Sequence, residues 1–158
     1  MTTLPITGSV VTTIATAPPR RPGYDPSVTE ALSEDELRFL QETFDLAREG
    51  ETAALAERVD AGVPVNLTNS VGDTLLILAA YHAHAETVRA LVKRGADHSR
   101  VNDKGQTALG AAVFRQARPV VETLLDAGAD PALGRQSGLA VAQVFDLPEM
   151  TELLTTPR

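Results

Sequence analysis

The feature that most constrains this chain is a period of 33 residues. Gly62, Gly95 and Gly128 stand 33 apart, as do Gly72 and Gly105, Thr74 and Thr107, Leu76 and Leu109, Val88 and Val121, and Leu91 and Leu124. The segment Val92-Lys93-Arg94-Gly95-Ala96-Asp97 returns as Leu125-Asp126-Ala127-Gly128-Ala129-Asp130. A period of this length belongs to stacked helical units, none of which can bury its apolar face alone.

Each unit has a physical reading. Thr74 to Tyr81 and Thr107 to Phe114 are short apolar helices, and Ala79, Ala80, Ala111 and Ala112 allow close helix approach. After a turn, Val88, Leu91 and Val92, and their equivalents Val121, Leu124 and Leu125, recur at the three- and four-residue spacing of one helix face. Pro119 suits the first turn of its helix, where a missing N–H costs nothing. Gly62, Gly95 and Gly128 fall where helix C-termini favour a left-handed residue. Gly72 and Gly105 fall at the tips of the turns joining consecutive units.

These residues resemble the ankyrin repeat. Gly72, Thr74, Leu76, Ala79, Ala80, Val88, Leu91, Gly95, Ala96 and Asp97 match its pattern, and so do Gly105, Thr107, Leu109, Ala112, Val121, Leu124, Leu125, Gly128, Ala129 and Asp130. Two positions depart from it. The family proline is Leu75 and Ala108 here, and the family histidine is Ile77 and Gly110. The Thr–His hydrogen bond of that motif is therefore lost, and these repeats are expected to be less stable than consensus ones. The resemblance implies an all-α solenoid of about four helix-turn-helix units joined by short hairpin-like turns.

The ends read as caps. Ser33-Glu34-Asp35-Glu36 is a capping box, with Leu32 and Leu37 spaced as a hydrophobic staple. Its helix carries Leu37, Leu40, Phe44 and Ala47, and Leu55, Val59 and Gly62 align with Val88, Val92 and Gly95. The repeat domain is placed at residues 31–156, with a capping repeat at 33–66, repeats at 69–101 and 102–134, and a shortened last repeat at 135–156. That last repeat carries Leu139, Ala142, Met150 and Leu154, and Pro148 opens its final helix. Residues 1–30 hold Pro5, Pro18, Pro19, Pro22 and Pro26, show no helical period, and are expected to form a disordered tail. Ala15-Thr16-Ala17 resembles a signal-peptidase site, but no basic region precedes it. Leu4-Pro5-Ile6-Thr7-Gly8 spells a cell-wall sorting signal at the wrong end of a chain. Val10 to Ile14 is β-prone and could add to a partner's sheet edge.

Composition narrows the function. The net charge is −7, whereas a nucleic-acid binder needs a basic face to neutralise phosphates. The same acidity argues against an anionic membrane surface, and no apolar run reaches the roughly 20 residues of a bilayer span. The chain has no cysteine, which excludes disulfides and thiol chemistry and fits the cytoplasm.

Catalytic and metal motifs are lacking. His82 and His84 are two apart, which on one helix would point them to different sides, and no carboxylate sits at metal-ligand spacing beside them or His98. His84 reads as a hydrogen-bonded residue of the turn. No phosphate-cradling loop or nucleophile elbow occurs. No cofactor, metal or catalytic residue is assigned, and the chain is read as a non-enzyme.

By resemblance, the expected job is protein binding by a monomeric adaptor or assembly factor. The surface carried over from the family combines Ser70, Val71, Asp73, Tyr81 and His82 with Asp103, Lys104, Gln106, Phe114 and Arg115. Tyr81 and Phe114 are equivalent positions, and the chain has just six aromatic residues, two Tyr and four Phe. Two exposed aromatics at a repeated position imply a use. The bland alternative has Phe114 folding into the core and Tyr81 shielding a helix end. The likeness to small free-standing bacterial ankyrin proteins also admits an accessory factor for an enzyme such as a catalase in stress handling, or a secreted effector. An enzyme with an unrecognised site is the remaining class.

Overall fold

Hydroxyl caps start every inner helix. The computed structural model describes residues 33–157, and these contain eight α-helices in four pairs. The pairs are α1 (Glu34–Glu49) with α2 (Thr52–Asp60), α3 (Leu75–Tyr81) with α4 (Ala85–Lys93), α5 (Ala108–Phe114) with α6 (Arg118–Asp126), and α7 (Gly138–Val144) with α8 (Pro148–Thr155). Ser33 accepts the Glu36 N–H at 3.1 Å while the Glu36 carboxylate accepts the Ser33 N–H at 2.9 Å, the expected capping box. Thr74, Thr107 and Ser137 accept the N–H groups of Ile77, Gly110 and Ala140 at 3.0, 3.0 and 3.1 Å. Each such cap is worth about 1 kcal/mol. The threonines therefore keep a structural hydrogen bond although the family histidine is missing. Leu32, the other half of the expected staple, and residues 1–30 lie outside the described residues.

The first helices α1, α3, α5 and α7 pack in one row, and α2, α4, α6 and α8 in a second row against them. Ala79, Ala80, Ala111 and Ala112 are fully buried between the first helices, so missing side-chain bulk is what lets the row close up. Leu76, Leu109, Val88, Val121, Leu91 and Leu124 fill the space between rows. No strand forms among the described residues; two isolated bridges, Thr68 to Thr74 and Gln106 to Gln136, lie in the inter-unit turns. No described helix is long and apolar enough to cross a membrane.

The first pair replaces some apolar contact with a polar clasp. Thr43 is buried, and its Oγ1 donates to the Phe39 carbonyl at 2.8 Å. Arg58 donates to that same carbonyl and to Thr43 Oγ1, both at 2.9 Å, with its guanidinium 4.2 Å from the Phe39 ring centroid. Leu40, Phe44, Ala47 and Leu55 are buried as expected. Leu37 is not: it is 44% exposed and borders a hollow between α1 and the first inter-unit turn. At the other end Ala142, Met150 and Leu154 are buried, Leu139 is half-buried, and Pro148 opens α8.

Two kinds of turn set the repeat. After the second helices, Gly62, Gly95 and Gly128 take φ of +125°, +86° and +98°, as their spacing predicts. Between the helices of a pair, Gly50 has φ +74°, but its equivalents Ala83, Gln116 and Asp146 have φ +62°, +54° and +52°. A left-handed conformation costs a residue with a Cβ roughly 1–2 kcal/mol. Packing of the helix pairs holds these three turns in it.

Candidate functional site

The turns between consecutive pairs are fingers built by two asparagines. Asn69 Oδ1 accepts the N–H groups of Val71 and Asp73 at 3.1 and 2.9 Å. One period later, Asn102 Oδ1 accepts those of Lys104 and Gln106 at 3.0 and 2.9 Å. The fingers are also tied to each other. Asn102 Nδ2 donates to Asp73 Oδ1 at 2.7 Å, and the Asp103 N–H donates to the Val71 carbonyl at 3.0 Å. The Gln136 N–H donates to the Gly105 carbonyl at 2.9 Å. The rigid finger row stands beside the first helices and leaves a groove of about 600 Å³ between them.

Seven of the ten sequence-predicted residues line this groove: Val71, Asp73, Tyr81, His82, Lys104, Gln106 and Phe114. Ser70 faces the neighbouring hollow beside α1. Asp103 is exposed at a finger tip. Arg115 lies at the groove edge with its guanidinium 5.6 Å from the Tyr81 ring centroid. Asp73 and Gln106 also serve the fold, since both accept from Asn102 Nδ2, at 2.7 and 3.3 Å.

The aromatic positions form a ladder. Tyr81 and Phe114 stack with ring centroids 6.1 Å apart and 8° between planes. Phe114 meets Phe145 edge to face at 5.4 Å. Phe114 is 42% exposed and Phe145 54%, so neither belongs to the core. Tyr81 is half-buried and packs against the core, which makes it a shared support rather than the free aromatic expected from sequence.

The histidines are not on one helix, and this corrects the expectation that they diverge. His82 ends α3 and His84 precedes α4; their rings stack at 6.3 Å with 18° between planes. The Nε2 of His84 lies 2.7 Å from the Arg48 carbonyl, a hydrogen bond that locks the turn onto α1. Burial, then the neighbouring His84, Arg115 and Arg48, hold the His82 imidazole below its ordinary value of 6.5. His98 sits apart from this cluster, with its Nδ1 buried and unbonded. No group of three or more metal-ligating side chains occurs among the described residues.

Sequence reasoning missed Asn69, Asn102, Arg48 and Phe145. The two asparagines were detectable, being one period apart. Phe145 follows Phe114 by 31 residues, so a search at 33 passes over it.

A solenoid of helix pairs with a row of hydrogen-bonded fingers and a groove beside them defines the class of repeat scaffolds that present an extended surface to a ligand. This chain belongs to the ankyrin-repeat family: the family model for ankyrin repeats in three copies matches residues 37–134. A Pseudomonas aeruginosa protein named for its ankyrin repeats is 47% identical over 58 residues, which are 37% of this chain and 34% of that protein. A Treponema pallidum ankyrin repeat-containing protein is 32% identical over 111 residues, covering 68% and 37%. The mouse ankyrin repeat and SAM domain-containing protein 6 is 34% identical over 125 residues, covering 78% of this chain and 14% of its own. The chain thus spans about a third of the length of the two bacterial relatives and less of the mouse one. Ankyrin repeats are in general protein-interaction modules, and the family is typically non-enzymatic.

Proposed function

We propose that this chain is a non-catalytic binding module, an adaptor or assembly factor acting as a monomer in the cytoplasm, that receives a partner protein in the groove between its fingers and first helices. Residues 31–156 form its folding unit in this reading, and residues 1–30 are an appendage to it. One observation carries the reading. Phe114 and Phe145 remain 42% and 54% exposed, with Phe114 stacked on Tyr81 and Phe145 edge to face on Phe114. Exposed aromatics cost solubility unless something covers them, and aromatic side chains are favoured anchors of interfaces. The finger network supports it further, because hydrogen-bonded turns keep the groove preformed and lower the ordering cost of binding.

The test is a paired measurement on Phe114→Ala/Phe145→Ala and the unaltered chain, by capture from an extract of the source organism and by thermal melting. Hot-spot truncations typically cost about 2 kcal/mol or more each, so together they reduce affinity on the order of a thousandfold. Loss of capture with little change in melting supports the reading. Full capture by the double variant contradicts it.

A further inference from the structure

The chemistry of the groove is polarised, and the polarity specifies a ligand. Four basic or ionisable groups from three segments converge where the first helices end: Arg48 from α1, His82 and His84 from the turn between α3 and α4, and Arg115 after α5. The effect of Arg48, Arg115 and His84 on His82 is uniformly that of positive neighbours. Arg48 is paired with Asp45 at 2.7 Å, but Arg115 has no acidic partner among the described residues and rests over the Tyr81 ring. This cluster stands out on a chain whose net charge is −7. A carboxylate is repelled by most of such a surface and attracted at this spot, so charge fixes where and in which register it lands.

The apolar part of the groove begins at the same place. Tyr81 carries Arg115 on its face and is the first rung of a ladder that continues along the groove to Phe114 at 6.1 Å and then, past the groove lining, to Phe145 at a further 5.4 Å. Side chains on one face of an extended strand recur about every 6.6 Å, two residues at roughly 3.3 Å each. The rungs therefore match alternate side chains of an extended peptide. A helical ligand presents its same-face side chains in a broad stripe at three- and four-residue spacing instead.

We propose that the groove binds an extended segment of a partner protein with an acidic side chain at one position and bulky apolar side chains two and four residues away along the strand. The acidic group sits among Arg48, His82 and Arg115. The apolar groups lie against Phe114 and Phe145. This inference rests on the reading of the groove as the partner site and adds the chemistry of the occupant.

The experiment selects from a random peptide library displayed on phage, with the full chain as bait. Parallel selections use Arg48→Gln/Arg115→Gln and Phe114→Ala/Phe145→Ala, after melting shows that both remain folded. Enriched peptides are synthesised and their affinities measured. The expected consensus is an acidic residue followed or preceded at two and four residues by Phe, Leu, Ile or Trp. Replacing the acidic residue with its amide weakens binding to the unaltered chain on the order of tenfold, and has little effect on binding to the arginine double variant. The amide comparison stands even if an arginine variant fails to fold. Peptides of basic or uncharged consensus that lose binding to the phenylalanine variant overturn the acidic occupant and leave the groove reading intact. Peptides indifferent to both variants, or no enrichment at all, overturn both.

Discussion

Asn102 donates from Nδ2 to Asp73 Oδ1 at 2.7 Å, and so joins two fingers that are one repeat apart. The same side chain accepts two backbone N–H groups, and it is buried. Removing it leaves those donors and Asp73 without their partners. Asn102→Ala is expected to destabilise by about 2–4 kcal/mol, since a net hydrogen bond is worth about 1 kcal/mol and an orphaned buried group costs more. Asn69→Ala, which removes two bonds in a more open finger, should cost about half as much. Urea unfolding of both variants checks the order, and equal effects would show that the link between fingers adds nothing.

Gly110 gives a prediction of sign. It lies within α5, where replacing glycine by alanine normally gains about 1 kcal/mol of helix stability. A Cβ here would run into the backbone carbonyl of Gln136 in the next finger. Gly110→Ala should therefore destabilise. A gain in urea midpoint would mean that the last finger moves away at no cost.

The turns inside the pairs make the opposite case. Ala83 is held at φ +62°, where its equivalent in the first pair is Gly50. Ala83→Gly relieves a strain of roughly 1–2 kcal/mol and gives back about 0.4–1 kcal/mol through the freer unfolded chain. A net gain of about 0.5–1 kcal/mol is expected in denaturant titration, and a loss of that size would contradict the strain.

Much of this architecture was readable because it repeats. The glycines at 62, 95 and 128, the caps at Ser33, Thr74 and Thr107, and the paired alanines each express one local rule one period apart. The rest was hidden for definite reasons. Ala83 and Gln116 carry no left-handed signal in their residue types, and Asp146 carries a weak one. Leu37 has the spacing of an inner-face residue but faces a hollow. Two residues apart, His82 and His84 would diverge on one helix, whereas the turn that holds them brings their rings together. The basic cluster could not be read at all, because its members lie on three segments up to 67 residues apart, from Arg48 to Arg115. Phe145 escaped because the last finger is three residues shorter than the one before it, Thr107 to Ser137 against Thr74 to Thr107, and because Phe145 takes the place of Arg115 rather than of Phe114.

His82 makes stability depend on pH. Burial, His84, Arg115 and Arg48 favour the neutral imidazole in the folded chain, while the unfolded chain takes up its proton near 6.5. The stabilisation is full above about 6.5 and declines as pH falls through 6.5 toward the lower folded-state value. His82→Gln should flatten the change in urea midpoint between about pH 7.5 and about pH 5.5. Carboxylates titrate equally in both proteins, so the difference between them isolates the histidine. An identical slope in both would show that His82 is not held neutral by the fold.

Photo-crosslinking tests the central claim, that the groove receives the partner, most directly. Benzoylphenylalanine is placed singly at Phe114 in the groove and at Phe145 in edge contact with it, and at Glu57 and Arg89 on the exposed side of the second-helix row. Each protein is irradiated in an extract of the source organism. The expected result is the same crosslinked protein from positions 114 and 145 and none from 57 or 89. A crosslinked protein from 57 or 89 with nothing from 114 and 145 would place the partner on the opposite face and contradict the account.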